Sequence, residues 1–185
     1  MNIDQIKTPE DILNYMNENI DYGWIDNTGN KHSKSMKDFR KLYTTISIDD
    51  TIKNGIGCCI EQVNLMHYLL EKLHIKNKMF CCRIYEPDDY NNLEAEEHMH
   101  CFVLYYQNNK VYQIEHPNFY KIGIYEFKNE QEAIDSIVKY YIELSGGKPR
   151  PTSEFFDVPI GISFKEFNNY INNLNTEIKT QSIKI

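Results

Sequence analysis

The order of patterns along the chain predicts an α+β fold, with helices ahead of strands that read as an antiparallel sheet. Three observations predict it. A capped amphipathic helix opens at Thr8-Pro9, a second helical pattern runs from Cys59 to Leu73, and two alternating segments flank Asn108-Asn109 as a hairpin. The 185 residues are enough for one sizeable core, so a single domain over 1–185 is expected, with 175–185 as a frayed polar tail.

Each element has a local reason. Thr8 caps the first helix, Pro9 opens it and Asp11 completes the cap; Ile12, Leu13, Met16 and Ile20 give it a core face. Tyr22–Ser35 reads as a polar loop holding Trp24. Ser47–Asn54 reads as a short helix with Ser47 and Asp50 as its capping pair. From Cys59, the residues Val63, Met66, Leu70 and Leu73 fall on one helical stripe. Lys78–Tyr85 reads as a strand and Pro87–Glu97 as an acidic loop. Met99–Tyr106 and Val111–Glu115 form the hairpin, and Tyr125–Lys128 a further strand. Glu130–Leu144 carries Ile134, Ile137, Val138, Tyr141 and Ile142 at helical spacing and ends at Gly146-Gly147. Lys148–Gly161, with three prolines, reads as a loop; Ser163–Leu174 is a last helix with Ser163 and Glu166 as a capping box.

Composition narrows the function. A net charge of −7 with only three arginines argues against a nucleic-acid surface. No run of 18 apolar residues offers a membrane span, and Met1-Asn2-Ile3-Asp4-Gln5 has no signal-peptide pattern. Five cysteines, four of them in the adjacent pairs Cys58-Cys59 and Cys81-Cys82, make a poor disulfide framework. Reduced thiols and a cytoplasmic location are therefore expected.

The stretch Gly55-Ile56-Gly57-Cys58-Cys59 runs straight into a helix and places Cys59 in the first turn, on the apolar stripe. A helix N-terminus has unpaired N–H groups and a positive dipole end, both favourable to a thiolate. Gly57 lacks a side chain, so a substrate backbone has room to approach. Lowering a thiol pKa from ~8.5 to ~6 takes about 3.4 kcal/mol, and a helix end supplies roughly 0.3–2. A charged imidazole beside the sulfur has to supply the rest. Taken alone, the residues leave Cys59 open between a buried apolar thiol and a nucleophile.

The hairpin offers the imidazole. A turn centred on Asn108-Asn109 pairs Leu104 with Gln113 and Phe102 with Glu115. His100 then shares a face with Glu115 as a diagonal neighbour, about 7–8 Å away between backbones. The acid would fix one tautomer and stabilise the charged ring. His98 lies on the same face; Cys101 and His116 lie on the other, so no four-ligand zinc set assembles. The acidic loop lacks the spacing of a calcium loop, and Gly55-Ile56-Gly57 alone makes no phosphate cradle. No metal or cofactor is expected.

Gly57-Cys58-Cys59-Ile60-Glu61-Gln62-Val63, Met99-His100-Cys101-Phe102-Val103-Leu104 and Ile114-Glu115-His116 together resemble the bacterial transglutaminase-like family of the papain-like superfamily. The similarity extends to Thr8–Tyr22, Ser47–Gly57 and Glu130–Leu144. It implies a papain-like core: a central helix carrying the cysteine, packed on an antiparallel sheet. It implies Cys59 as nucleophile, His100 as base and Glu115 as orienting acid. Ile60 stands where the family often has an aromatic, and Glu115 where it often has aspartate. Arylamine N-acetyltransferases have a similar cysteine-Glu-Asn opening, but an arginine where this chain has Asn54. The expected activity is thiol-dependent acyl transfer on a peptide, protein or small amide, with hydrolysis first and cross-linking or deamidation of glutamine second. A binding module that kept the fold without the chemistry is the competing class. The Cys59 backbone N–H, with Trp24 or Asn54, is the expected oxyanion site.

Overall fold

A computed structural model describes residues 2–85 and 97–181. After a 3₁₀ turn at Ile3–Gln5, the elements are α1 (Pro9–Asn19), β1 (Asp21–Ile25), β2 (Lys31–Ser33), α2 (Phe39–Leu42), α3 (Ile48–Asn54), β3 (Ile56–Gly57) and α4 (Cys59–Lys72). They continue with β4 (Asn77–Tyr85), β5 (Glu97–Gln107), β6 (Lys110–Glu115), β7 (Gly123–Phe127) and α5 (Glu130–Ser145). The chain closes with β8 (Lys148–Pro149), β9 (Thr152–Phe155), α6 (Phe164–Asn173) and β10 (Glu177–Ile178).

The fold is α+β and its main sheet is antiparallel. Strand order is β10-β9-β4-β5-β6-β7, with β8 added alongside β4. A second, small sheet has the order β2-β1-β3, in which β1 and β3 run parallel. The hairpin register follows from its turn. Asn108 and Asn109 both adopt positive φ (52° and 59°), the conformation of a tight two-residue hairpin turn, and Leu104 pairs with Gln113.

The main sheet is covered on both faces, which is why the middles of β4 and β5 are apolar on both sides. One face carries Met79, Cys81, Cys101 and Val103 against Val63, Met66 and Leu70 of α4. The other carries Phe80, Cys82, Phe102 and Leu104 against Ala133, Ile134, Ile137 and Val138 of α5. Caps fix the helix starts. Thr8 Oγ1 accepts from Asp11 N at 3.2 Å, and Ser47 Oγ accepts from Asp50 N at 3.0 Å. Among the described residues no helix is long and apolar enough to cross a membrane.

Three expectations are corrected. Tyr22–Ser35 is not a loop throughout, because β1 and β2 pair across Gly23–Ser33, Trp24–His32 and Ile25–Lys31. Trp24 stacks on His32 across this pair at 3.9 Å between ring centroids, an arrangement local polarity concealed. Lys148–Gly161 contains β8 and β9; Pro149 lies in β8 and Pro151 just before β9, where a missing N–H is tolerated. The tail pairs as well: Glu177 and Ile178 join Ser153 and Thr152. The acidic loop falls outside the described residues, apart from Glu97 at the start of β5.

Phe102 is 1% exposed and stacks on Phe80 at 5.4 Å. Phe102→Ala is expected to lower unfolding stability by about 3–5 kcal/mol in urea titration, and Thr8→Ala by about 1.

Candidate active site

Cys59 is the first residue of α4, at the helix end that favours negative charge. It is largely buried, at 8% exposure, yet it lines a cleft of about 600 Å³ together with Tyr22, Met99, Tyr141 and Phe164. Gly57, two residues earlier, is not open to a substrate. A Cβ there would stand 2.8 Å from Glu61 Cβ, so the glycine is required for the chain to pack against the helix start.

Across from Cys59, β5 presents His100. Its Nε2 pairs with Glu115 Oε2 at 2.8 Å, leaving Nδ1 as the ring nitrogen open to Cys59. Glu115 is itself held on both oxygens: Oε2 accepts from Gln113 Nε2 at 2.8 Å and Oε1 from Asn118 N at 2.9 Å. The ring stacks on Tyr141 of α5, with centroids 4.5 Å apart, which fixes its plane. Asn118 Nδ2 donates to the Tyr141 hydroxyl at 3.1 Å and ties the two supports together.

The electrostatics favour a thiolate beside an imidazolium. Hydrogen bonds from Cys101 and Cys58, offset by burial, act with the charge of His100 to hold the Cys59 thiol well below its ordinary value. Burial disfavours the charged His100 ring, but the Glu115 carboxylate and Cys59 outweigh it and raise the pKa to about 10. The neighbouring thiols contribute most to lowering Cys59, and the imidazolium adds to them.

The two adjacent sulfurs behave oppositely. Burial pushes the Cys58 thiol well up, and its Sγ donates to Glu61 Oε2 at 3.0 Å. Glu61 is the third residue of α4 and turns back to accept from Cys58 N at 3.1 Å and from the Tyr43 hydroxyl at 2.5 Å. Burial raises the Glu61 carboxyl. Cys58 is thus held protonated against an acid while Cys59 faces a base.

Not every residue singled out from the sequence joins the group. Trp24 is buried and its Nε1 donates to the Ser35 carbonyl at 2.6 Å, so that donor is already engaged. Asn54 donates its side-chain amide to Asp50 O at 2.8 Å, within α3. His98 lies at the cleft, and His116 faces away from it, with Nδ1 2.6 Å from Gln62 Oε1. Glu61, Gln113, Tyr141 and Cys101 are additions. Only Glu61 had a legible signal, as an acid three residues after the helix cap. Tyr141 read simply as part of a helix's apolar stripe.

No protein-family model and no curated protein matches the chain. Among solved structures it is similar to an arylamine N-acetyltransferase from Bacillus cereus, described as having a Cys-His-Glu catalytic triad. The likeness covers 95% of this chain and 72% of that one, at 15% identity and a TM-score of 0.43.

A thiol whose pKa is lowered stays ionised to lower pH. The midpoint of Cys59 alkylation by iodoacetamide is therefore expected well below ~8.5, with a rate at pH 6.5 on the order of tenfold above a free thiol. His100→Ala leaves burial unopposed by the imidazolium and should move that midpoint up. Peptide mapping of the labelled sites checks both, with buried Cys81 as the internal control.

Proposed function

We propose that the chain is a thiol-dependent acyl-transfer enzyme with a papain-like core, and that Cys59, His100 and Glu115 perform the chemistry. The observation that carries this reading is the charged pair at the cleft: a cysteine with a lowered pKa, facing a histidine whose other nitrogen is bound by a carboxylate. A structural thiol needs none of this.

In this mechanism the Cys59 thiolate attacks an amide or ester carbonyl. The His100 imidazolium gives its proton to the leaving group as the tetrahedral species collapses. The neutral ring then takes a proton from the acceptor that releases the acyl group. Glu115 keeps Nε2 engaged throughout, so the nitrogen facing Cys59 is the one that exchanges the proton. The Cys59 backbone N–H, in the first turn of α4, is one oxyanion donor. The second we assign to Tyr22, which lines the same cleft and whose phenol is kept protonated by burial and by the negative charge of Cys59.

The cleft volume lies within the range of small-ligand sites, about 300–1,000 Å³. Its walls include Met36, Phe39, Met99, Leu144 and Phe164, which suits an acyl group with apolar substituents. Water is the simplest acceptor, which puts amide or peptide hydrolysis first. Transfer to an amine, or deamidation of a glutamine side chain, differs only in what enters after the acyl-enzyme has formed.

With p-nitrophenyl acetate as acyl donor, mass spectrometry is expected to find acetyl on Cys59 and on no other cysteine. Cys59→Ala should abolish it, and His100→Ala should slow it by about 10²–10⁴-fold. Glu115→Gln should fall between His100→Ala and wild type, and Tyr22→Phe should cost on the order of 10²-fold in deacylation. Release as acetate indicates a hydrolase; release as an amide with added primary amine indicates a transferase. A thiolate that alkylates readily but takes no acyl group from esters or amides would leave a binding module.

A further inference from the structure

The proposed mechanism uses one sulfur, but two more lie in the same buried cluster. Cys59, Cys101 of β5 and Cys81 of β4 belong to one buried cluster, in which Cys59 and Cys101, and Cys101 and Cys81, act on each other's ionisation at short range. Cys81 and Cys101 are direct partners in the β4–β5 ladder, and all three sit in the same core cluster against α4. Only Cys59 reaches the cleft; Cys101 and Cys81 are fully buried. Of these three, a reagent entering from solvent therefore meets Cys59 first, and Cys101 is the next of them.

We propose that Cys59 is a peroxide-reactive modification site and that Cys101 is its resolving thiol. The assignment rests on the ionised Cys59 of the acyl-transfer reading. The Cys59 thiolate attacks the terminal oxygen of a hydroperoxide, ROOH. An S–O bond forms, the O–O bond breaks, and Cys59 is oxidised by two electrons to the sulfenic acid. The alkoxide that leaves takes the His100 proton and departs as ROH. Cys101 sulfur then attacks the sulfenic sulfur to form the Cys59–Cys101 disulfide. Water leaves, made from the sulfenic hydroxyl and the Cys101 thiol proton. An added dithiol reverses the bond, giving back two thiols and becoming a disulfide itself.

Cys58 is also in contact with Cys59 but is the poorer partner. Neighbouring Cα atoms are about 3.8 Å apart, shorter than the roughly 4.4–6.8 Å a disulfide spans, and the Cys58 thiol is committed to Glu61 at 3.0 Å. Cys101 is on a different element, across the helix–sheet interface, and is free of that constraint. The disulfide would close the nucleophile off reversibly and keep it from sulfinic and sulfonic acids, which dithiols do not reduce.

The test is hydrogen peroxide on the full chain, followed by blocking of free thiols and non-reducing peptide mapping. The expected product joins the Cys59 and Cys101 peptides, and dithiothreitol should restore iodoacetamide labelling of Cys59 essentially completely. Cys101→Ala should instead give Cys59 sulfinic acid, with restoration falling at least several-fold. Cys101→Ser repeats the measurement should the alanine variant misfold, and the wild-type map decides the partner without either. A Cys58–Cys59 link, or wild-type Cys59 going directly to sulfinic acid, overturns the proposal. The two readings fail separately. Rapid alkylation without the disulfide sinks only the resolving role of Cys101. The disulfide without acyl transfer sinks only the enzyme.

Discussion

Two opposite charges held together at the start of α4 set the demands on everything around them. A thiolate and an imidazolium at a largely buried position lose most of their hydration, and such a pair persists only where further polar groups replace the lost water. The structure supplies them. Cys59 has the helix end and two neighbouring thiols; His100 has Glu115; Glu115 has Gln113 and the Asn118 backbone. Cys59, His100, Glu115 and Gln113 are all buried, so each depends on the next for the polar partner that water would otherwise be.

Holding that pair requires a helix end and a strand to meet at a sheet margin. The β5–β6 ladder ends at Val103–Ile114, one residue short of Glu115. Beyond it, the edge of β5 that carries His100 and Cys101 is no longer paired to β6. Their side chains leave opposite faces of the strand, yet both act on the ionisation of Cys59. The place where pairing stops is therefore where the site begins. The stacking of Tyr141 on His100 brings α5, from the other side of the sheet, to the same point.

Glu61 settles a question the adjacent cysteines raise. Chemically identical thiols one residue apart differ in ionisation: burial, with the Glu61 carboxyl beside it, pushes Cys58 up, while the neighbouring thiols Cys101 and Cys58, joined by the His100 imidazolium, hold Cys59 down. The carboxyl is itself buried with Tyr43, so its influence on Cys58 is little screened by water. Glu61 also closes the helix start, and with Gly57 it fixes how the chain enters α4. One side chain thus shapes the backbone that presents Cys59 and holds the neighbouring sulfur as a thiol.

Local chemistry made much of this legible in the sequence. Thr8-Pro9, Ser47 and Ser163 announced their helices because caps act within four residues. Asn108-Asn109 fixed the hairpin register, and with it the facing of His100 and Glu115, because a two-residue turn leaves one pairing. What depends on distant partners was not legible. β8, β9 and β10 are short, and they become strands by pairing onto β4 and onto each other; the β1–β2 hairpin forms in a separate small sheet with β3. Trp24 and Asn54 looked like available donors until their hydrogen bonds were placed. The sequence by itself determined the helix carrying Cys59 and the strand pair carrying His100 and Glu115, through periodicity and turn geometry. Only the tertiary structure decided which sulfur is ionised, because burial and the facing charges come from chain segments far apart in sequence.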